Sequence, residues 1–214
     1  MAERQTIADS KQAFHKAFPY VIAPLYRRLA DELLVELHLL SHQTHFHSTS
    51  LFAVGLQTVF DTFTQGYKPQ EQTQALYAAL CACNGFDAAQ LAETAKTCLD
   101  AAAEQSIEAI GPWLESLRLN DGAHYSRLMA IGLFRVMQLA RGDSQTPTDE
   151  ALRDQCKDAA QSLNFPQERL EKDLAQFAAN SERMTQAVDL MQETIAAERR
   201  KKERRLAEQK KSEA

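Results

Sequence analysis

Four of the six histidines fall within ten residues: His38, His42, His45 and His47. His38 and His42 stand one helical turn apart and could share a metal ion, with a third ligand such as His45 supplied by a polar loop. Glu36 points to another face of the helix, and no H-E-x-x-H pattern accompanies the cluster. Without a further ligand or a supporting shell, solvated histidines are the simpler reading. Cys81 and Cys83 lie two positions apart in a helix, which points their sulfurs in different directions. They make a poor chelate and a poor redox pair. With Cys98 and Cys156 they read as small buried residues. Asp31, Glu32 and Glu36 line one helix, with Arg27 and Arg28 near enough to pair with Asp31 and Glu32. No phosphate-binding loop, dinucleotide glycine pattern or nucleophile elbow occurs. No catalytic, cofactor-binding or metal-ligating residue is assigned, and the chain is expected not to be an enzyme.

The elements that hold these residues are helices. The 214 residues include only 7 Gly and 6 Pro, and the apolar fraction is 44%. That suits one domain with a sizeable core, and Ala, Leu, Gln and Glu favour helix over sheet. No apolar run is long enough to span a bilayer. Met1 to Ser10 carries no signal core, so the protein is expected to stay in the compartment where it is made. The expected fold is an all-α, single-domain bundle of eight or nine helices with a long C-terminal helix extending from it.

Asp9 or Ser10 is expected to cap a first helix that ends before Pro19, and Pro24 to open a second. Leu25, Leu29, Leu33, Leu37 and Leu40 form the buried stripe of that helix. A third helix runs from about Ser50 to Thr64. Gly66 and Pro69 mark a turn, at which Tyr67 and Gln65 are not demanded by packing alone. Another helix reaches Asn84, and Asp87 caps the next in a capping box with Gln90. A short helix carries Trp113 to about Asn120. Tyr125 to Arg141 is expected to be the most buried helix. Asp143 to Pro147 reads as a loop, and Thr148 caps a helix that ends near Asn164. The stretches Ala75–Leu91 and Leu152–Leu170 look like similar helical hairpins, each with a Phe before a helix start and a Leu five residues later.

The last third divides the chain. Residues 1–165 are the expected bundle. From 166 to 197 an apolar seam repeats in steps of four and three: Leu170, Leu174, Phe177, Ser181, Met184, Val188, Met191 and Ile195. It packs either on the bundle or on a partner as a coiled coil. Residues 198–214 have no apolar face and carry eight Lys/Arg against four Glu, or +4. With a formal net charge of -5 overall, the rest of the chain sums to -9. The basic tail is either a frayed end or an attraction for an acidic partner or an anionic surface. Nucleic acid is the weaker partner class, since no aromatic platform accompanies the charge.

Several segments carry a family resemblance. They are Phe18-Pro19, Tyr26-Arg27-Arg28, Asp31 through Leu40, Leu51-Phe52-Ala53-Val54-Gly55, Val59 through Tyr67, and Tyr125 through Leu133. Together they resemble the thylakoid formation protein family of cyanobacteria and chloroplasts, and the resemblance covers nearly the whole chain. His42, His45 and His47 are not part of the pattern. The resemblance implies a non-enzymatic accessory protein of photosystem II biogenesis and repair, without a cofactor. It implies binding to membrane FtsH-type proteases and to photosystem II assembly or repair intermediates. It also implies peripheral association with the cytoplasmic side of the thylakoid membrane, in a chain that looks cyanobacterial.

Overall fold

Helix starts follow local chemistry, because the first N–H groups of a helix need acceptors. The computed structural model describes residues 5–142 and 149–212, the last seven as backbone only. Thr6 caps α1 (Ile7–Ala17) in a reciprocal box with Asp9. This corrects the expected cap: Asp9 is the returning partner, and Ser10 is drawn inward to His38. Pro24 opens α2 (Pro24–Ser41), where its missing N–H costs nothing. Thr49 caps α3 (Ser50–Phe63). A single 3-10 turn, Gln70–Gln72, leads into α4 (Thr73–Ala82). Asp87 caps α5 (Ala88–Ala103), accepting from Ala89 and Gln90. Pro112 sits in the first turn of α6 (Gly111–Glu115). That helix ends earlier than expected: Leu117 and Arg118 donate only three residues back, to Leu114 and Glu115, and the Leu119 N–H leaves the turn for the Leu163 carbonyl at 3.1 Å.

Ser126 caps α7 (Arg127–Arg141), whose end is set by Gly142 in the left-handed region at φ 76. The expected loop 143–147 and Thr148 lie outside the described residues. Asp149 caps α8 (Glu150–Ala160), accepting from Leu152, and pairs with Arg141. The last helix, α9, runs Gln167–Ser212, 46 residues, or about 70 Å at 1.5 Å per residue. Among the described residues there are nine helices and no strand, so the all-α expectation holds.

The two hairpins share one turn. Gly85 (φ 80) and Asn164 (φ 61) take the left-handed conformation. The next N–H, of Phe86 or Phe165, reaches back to the carbonyl of Cys81 or Ala160 at 3.0 and 2.8 Å. This pattern closes the preceding helix and sends Leu91 and Leu170 into the core.

The core centres on α3 and α7. All of α7 is buried except Arg127, Arg135, Leu139 and Arg141. The two helices cross backbone to backbone. A Cβ on Gly55 would lie 1.7 Å from the Leu128 carbonyl oxygen, and one on Gly132 would lie 1.9 Å from that of Leu51. Only glycine permits that approach. Against this pair pack α5, α8 and α9. The seam of α9 is spent on the chain's own bundle: Leu170, Leu174, Phe177, Ser181 and Val188 are buried, and Phe177 meets Phe63 of α3 edge-on. The seam outlasts the bundle, however. Met191 is half-buried and Ile195 is 54% exposed.

Candidate interaction surface

The helices beside α9 are joined by polar ties that cross long stretches of sequence. Arg127, at the start of α7, grips Glu36 of α2 with two nitrogens, the shortest contact being 2.6 Å. The guanidinium fork matches a carboxylate and is stronger than a single bond. The Tyr125 hydroxyl donates to Asp173 of α9 at 2.9 Å, and Arg169 lies over the Tyr125 ring. Burial, followed by the Asp173 charge, pushes the Tyr125 hydroxyl well above its ordinary pKa. It therefore stays a donor. On the other side Tyr26 donates to the Gln65 carbonyl at 3.0 Å and packs edge-on against Tyr67. Tyr67 is buried, which corrects the view that packing does not demand it; Gln65 is exposed. Gly66 lies against Val188, so this turn abuts α9.

Glu36→Gln should lower stability by about 2 kcal/mol. The change leaves Arg127 partly buried without its counter-charge, and the discount from a fully buried pair reflects its partial exposure. For a chain of this size that is a drop in Tm of about 4–8 °C, and a thermal melt checks it.

These ties frame a cleft of about 260 Å³ between α2, α3, α7 and α9. Its floor is Leu29, Val59, Phe63, Ile131, Phe177 and Met184, and its rim holds Arg28, Glu32, Arg127, Asp173 and Arg183. Arg28 and Glu32 pair at 2.7 Å. The cleft adjoins a second notch of about 370 Å³, which shares Leu25 and Ala187 and adds Leu190, Met191, Thr194 and Ile195. Beyond it, every residue from Gln192 to Arg205 is exposed. The helix from Gln192 to Ser212 is an arm of roughly 30 Å. Its described side chains include six cations and three acids, Glu193, Glu198 and Glu203. Arg199 pairs with Glu203 at 3.1 Å.

The other candidates go elsewhere. His38 is buried, with its Nδ1 2.9 Å from Ser10 Oγ, which fastens α1 to α2. The His42 ring lies 4.4 Å from that of His38, and its Nδ1 is 2.8 Å from the His38 carbonyl oxygen. The His45 carbonyl accepts from the His124 N–H at 2.9 Å. Among the described residues no three His, Cys, Asp or Glu side chains gather as a metal site. All four cysteines are buried. Burial pushes Cys83 and Cys98 up to about 11 and Cys81 up to about 12, far from a reactive thiolate. The geometry collects surface for binding around α9.

Comparison with known proteins gives this surface a context. A family model described as thylakoid formation protein matches residues 6–206. The chain belongs to the thylakoid formation protein family. Protein Thf1 of Synechococcus sp. (strain CC9902) is 62% identical over 209 residues, covering 98% of this chain and 97% of that protein. Protein Thf1 of Prochlorococcus marinus (strain MIT 9313) is 44% identical, covering 95% of this chain and 89% of that one. The solved structure of Psb29 is similar with a TM-score of 0.82 and 31% identity, over 92% of this chain and 98% of that one. No helix among the described residues is long and apolar enough to cross a membrane.

Sequence reasoning located the long helix and its basic end. It missed the Arg127–Glu36 tie, because nothing local links residues 91 positions apart. The contact between Gly55 and Gly132 is likewise encoded by no neighbouring residue. A glycine inside an apolar helical run is the signal that could have found it.

Proposed function

We propose that this chain is a non-enzymatic accessory protein of photosystem II biogenesis and repair, which binds and stabilises membrane FtsH-type protease complexes. It works as a peripheral protein on the cytoplasmic side of the thylakoid membrane, where it also meets photosystem II assembly or repair intermediates. The observation that carries this reading is the basic arm of α9, exposed from Gln192 to Arg205 on a chain of a family named for thylakoid formation. A helix that leaves its bundle with no core to cover is available to a partner. Its charge attracts acidic surfaces over a range set by ionic strength.

Truncation after Ala197 tests the reading. The removed side chains from Glu198 to Arg205 are exposed, so stability should change by under about 0.5 kcal/mol. Recovery of the membrane protease with the tagged chain should fall, and recovery with the intact chain should fall with added salt. Unchanged recovery would deprive the arm of this role. The competing reading is a helical protein that binds nucleic acid or another acidic surface through the same arm. DNA binding with a steep salt dependence, and no protease in the pull-down, would favour it.

A further inference from the structure

We infer that the exit of α9 from the bundle is a docking site for an anionic lipid surface, with an apolar notch for acyl chain and a basic arm for headgroups. The inference rests on the peripheral-membrane reading above and names the surface that would make the contact.

The notch comes first. Leu25 of α2 faces Ala187, Leu190, Met191 and Ile195 of α9 across about 370 Å³. Leu190 is 65% exposed and Ile195 is 54% exposed. Both follow Val188, the last buried residue of the seam. Their aliphatic side chains thus contribute little to the core, and neighbouring exposed apolar groups of this kind mark contact sites.

The cations begin one helical turn beyond Ile195. Arg199, Arg200, Lys201, Lys202, Arg204 and Arg205 are all exposed. Among the described residues no ion pair holds Lys201, Lys202, Arg204 or Arg205, and Arg200 bonds only to the Ala196 carbonyl. Successive residues turn by about 100° around a helix, so these six side chains point around the whole circumference. A groove on a folded protein reads one face of a helix. A coiled-coil partner would also need an apolar seam, and that seam has ended. A planar anionic surface reads charge without register, which is what this distribution supplies. Apolar side chains next to a cluster of cations are the paired signals that make reversible membrane attachment effective.

The test uses the full chain with vesicles of phosphatidylcholine containing phosphatidylglycerol, and with phosphatidylcholine alone. Two variants accompany it. One carries L190Q and I195Q; the other replaces the six cations from Arg199 to Arg205 by glutamine. All the altered side chains are exposed, and melting curves should match that of the wild-type chain. The wild-type chain should bind the phosphatidylglycerol vesicles, lose binding as salt rises and ignore phosphatidylcholine. The six-cation variant should bind at least about tenfold more weakly, and the L190Q/I195Q variant several-fold more weakly. Absence of binding to phosphatidylglycerol vesicles overturns the inference, as does equal binding by either variant. It is also overturned if Leu190 and Ile195 instead support concentration-dependent self-association, which would assign the notch to a second copy. The assay contains no protease, so its failure removes the lipid site while leaving the proposed function to its own test.

Discussion

Gly132→Ala should remove more than about 3 kcal/mol of stability and leave the chain largely unfolded or aggregated. The added methyl would lie 1.9 Å from the Leu51 carbonyl oxygen and 3.1 Å from the Gly55 nitrogen. Both are backbone atoms, so no side chain can rotate aside. Relief requires α3 and α7 to separate, which opens the most buried interface of the bundle. Overpacking costs about 1–3 kcal/mol where side chains can shift, and here they cannot. Gly55→Ala should behave alike, with 1.7 Å to the Leu128 carbonyl oxygen. Gly111→Ala is the control. A Cβ there meets nothing within 4 Å, and in the first turn of a helix alanine should be neutral or stabilising. Denaturant melts of the three variants check the ranking. A Gly132→Ala chain as stable as wild type would mean the two helices do not cross this closely.

Leu133→Asp should be comparably severe. Leu133 is fully buried in α7. The carboxylate would lose its hydration with no counter-charge provided, and an unpaired buried charge costs several kcal/mol. The substitution also removes apolar contacts, so most of the marginal stability of a domain disappears. Circular dichroism should show lost helix or no cooperative transition at neutral pH. Because the cost is that of ionisation, partial recovery is expected on acidification, where the aspartate is neutral. A soluble variant with wild-type melting would remove Leu133 from the core.

What was legible in the sequence was what local chemistry decides alone. Pro24, Asp87 and Gly142 mark their helix ends because each has few local rivals for its role. The first cap is expected at Asp9 or Ser10; Thr6 takes it instead, with Asp9 returning the bond and Ser10 drawn to His38. The stripe of α2 was readable as a period, yet its burial is shifted: Tyr26, Ala30, Leu33, Leu34 and Leu37 are inside, while Leu25 and Leu29 are only partly covered. Those two leucines line the clefts beside α9, so the departure falls on the candidate surface. Tyr67 looked like a surface residue because it follows a turn glycine; its place against Tyr26 depends on a contact no local pattern encodes. The end of the seam was visible where charge begins. The point at which the helix leaves its support, just past Val188, was not, because it depends on where the other helices stop.

The most direct test of the account is crosslinking from defined positions on the chain in a thylakoid membrane fraction. Photoreactive groups placed at Gln192, Lys202 and, as a control on α5, the exposed Lys96 would be activated and the linked proteins identified. The account predicts that subunits of an FtsH-type protease are linked from Gln192 and Lys202 and not from Lys96, and that added salt reduces the yield. Protease linked from Lys96 alone, or from none of the three positions, would contradict it.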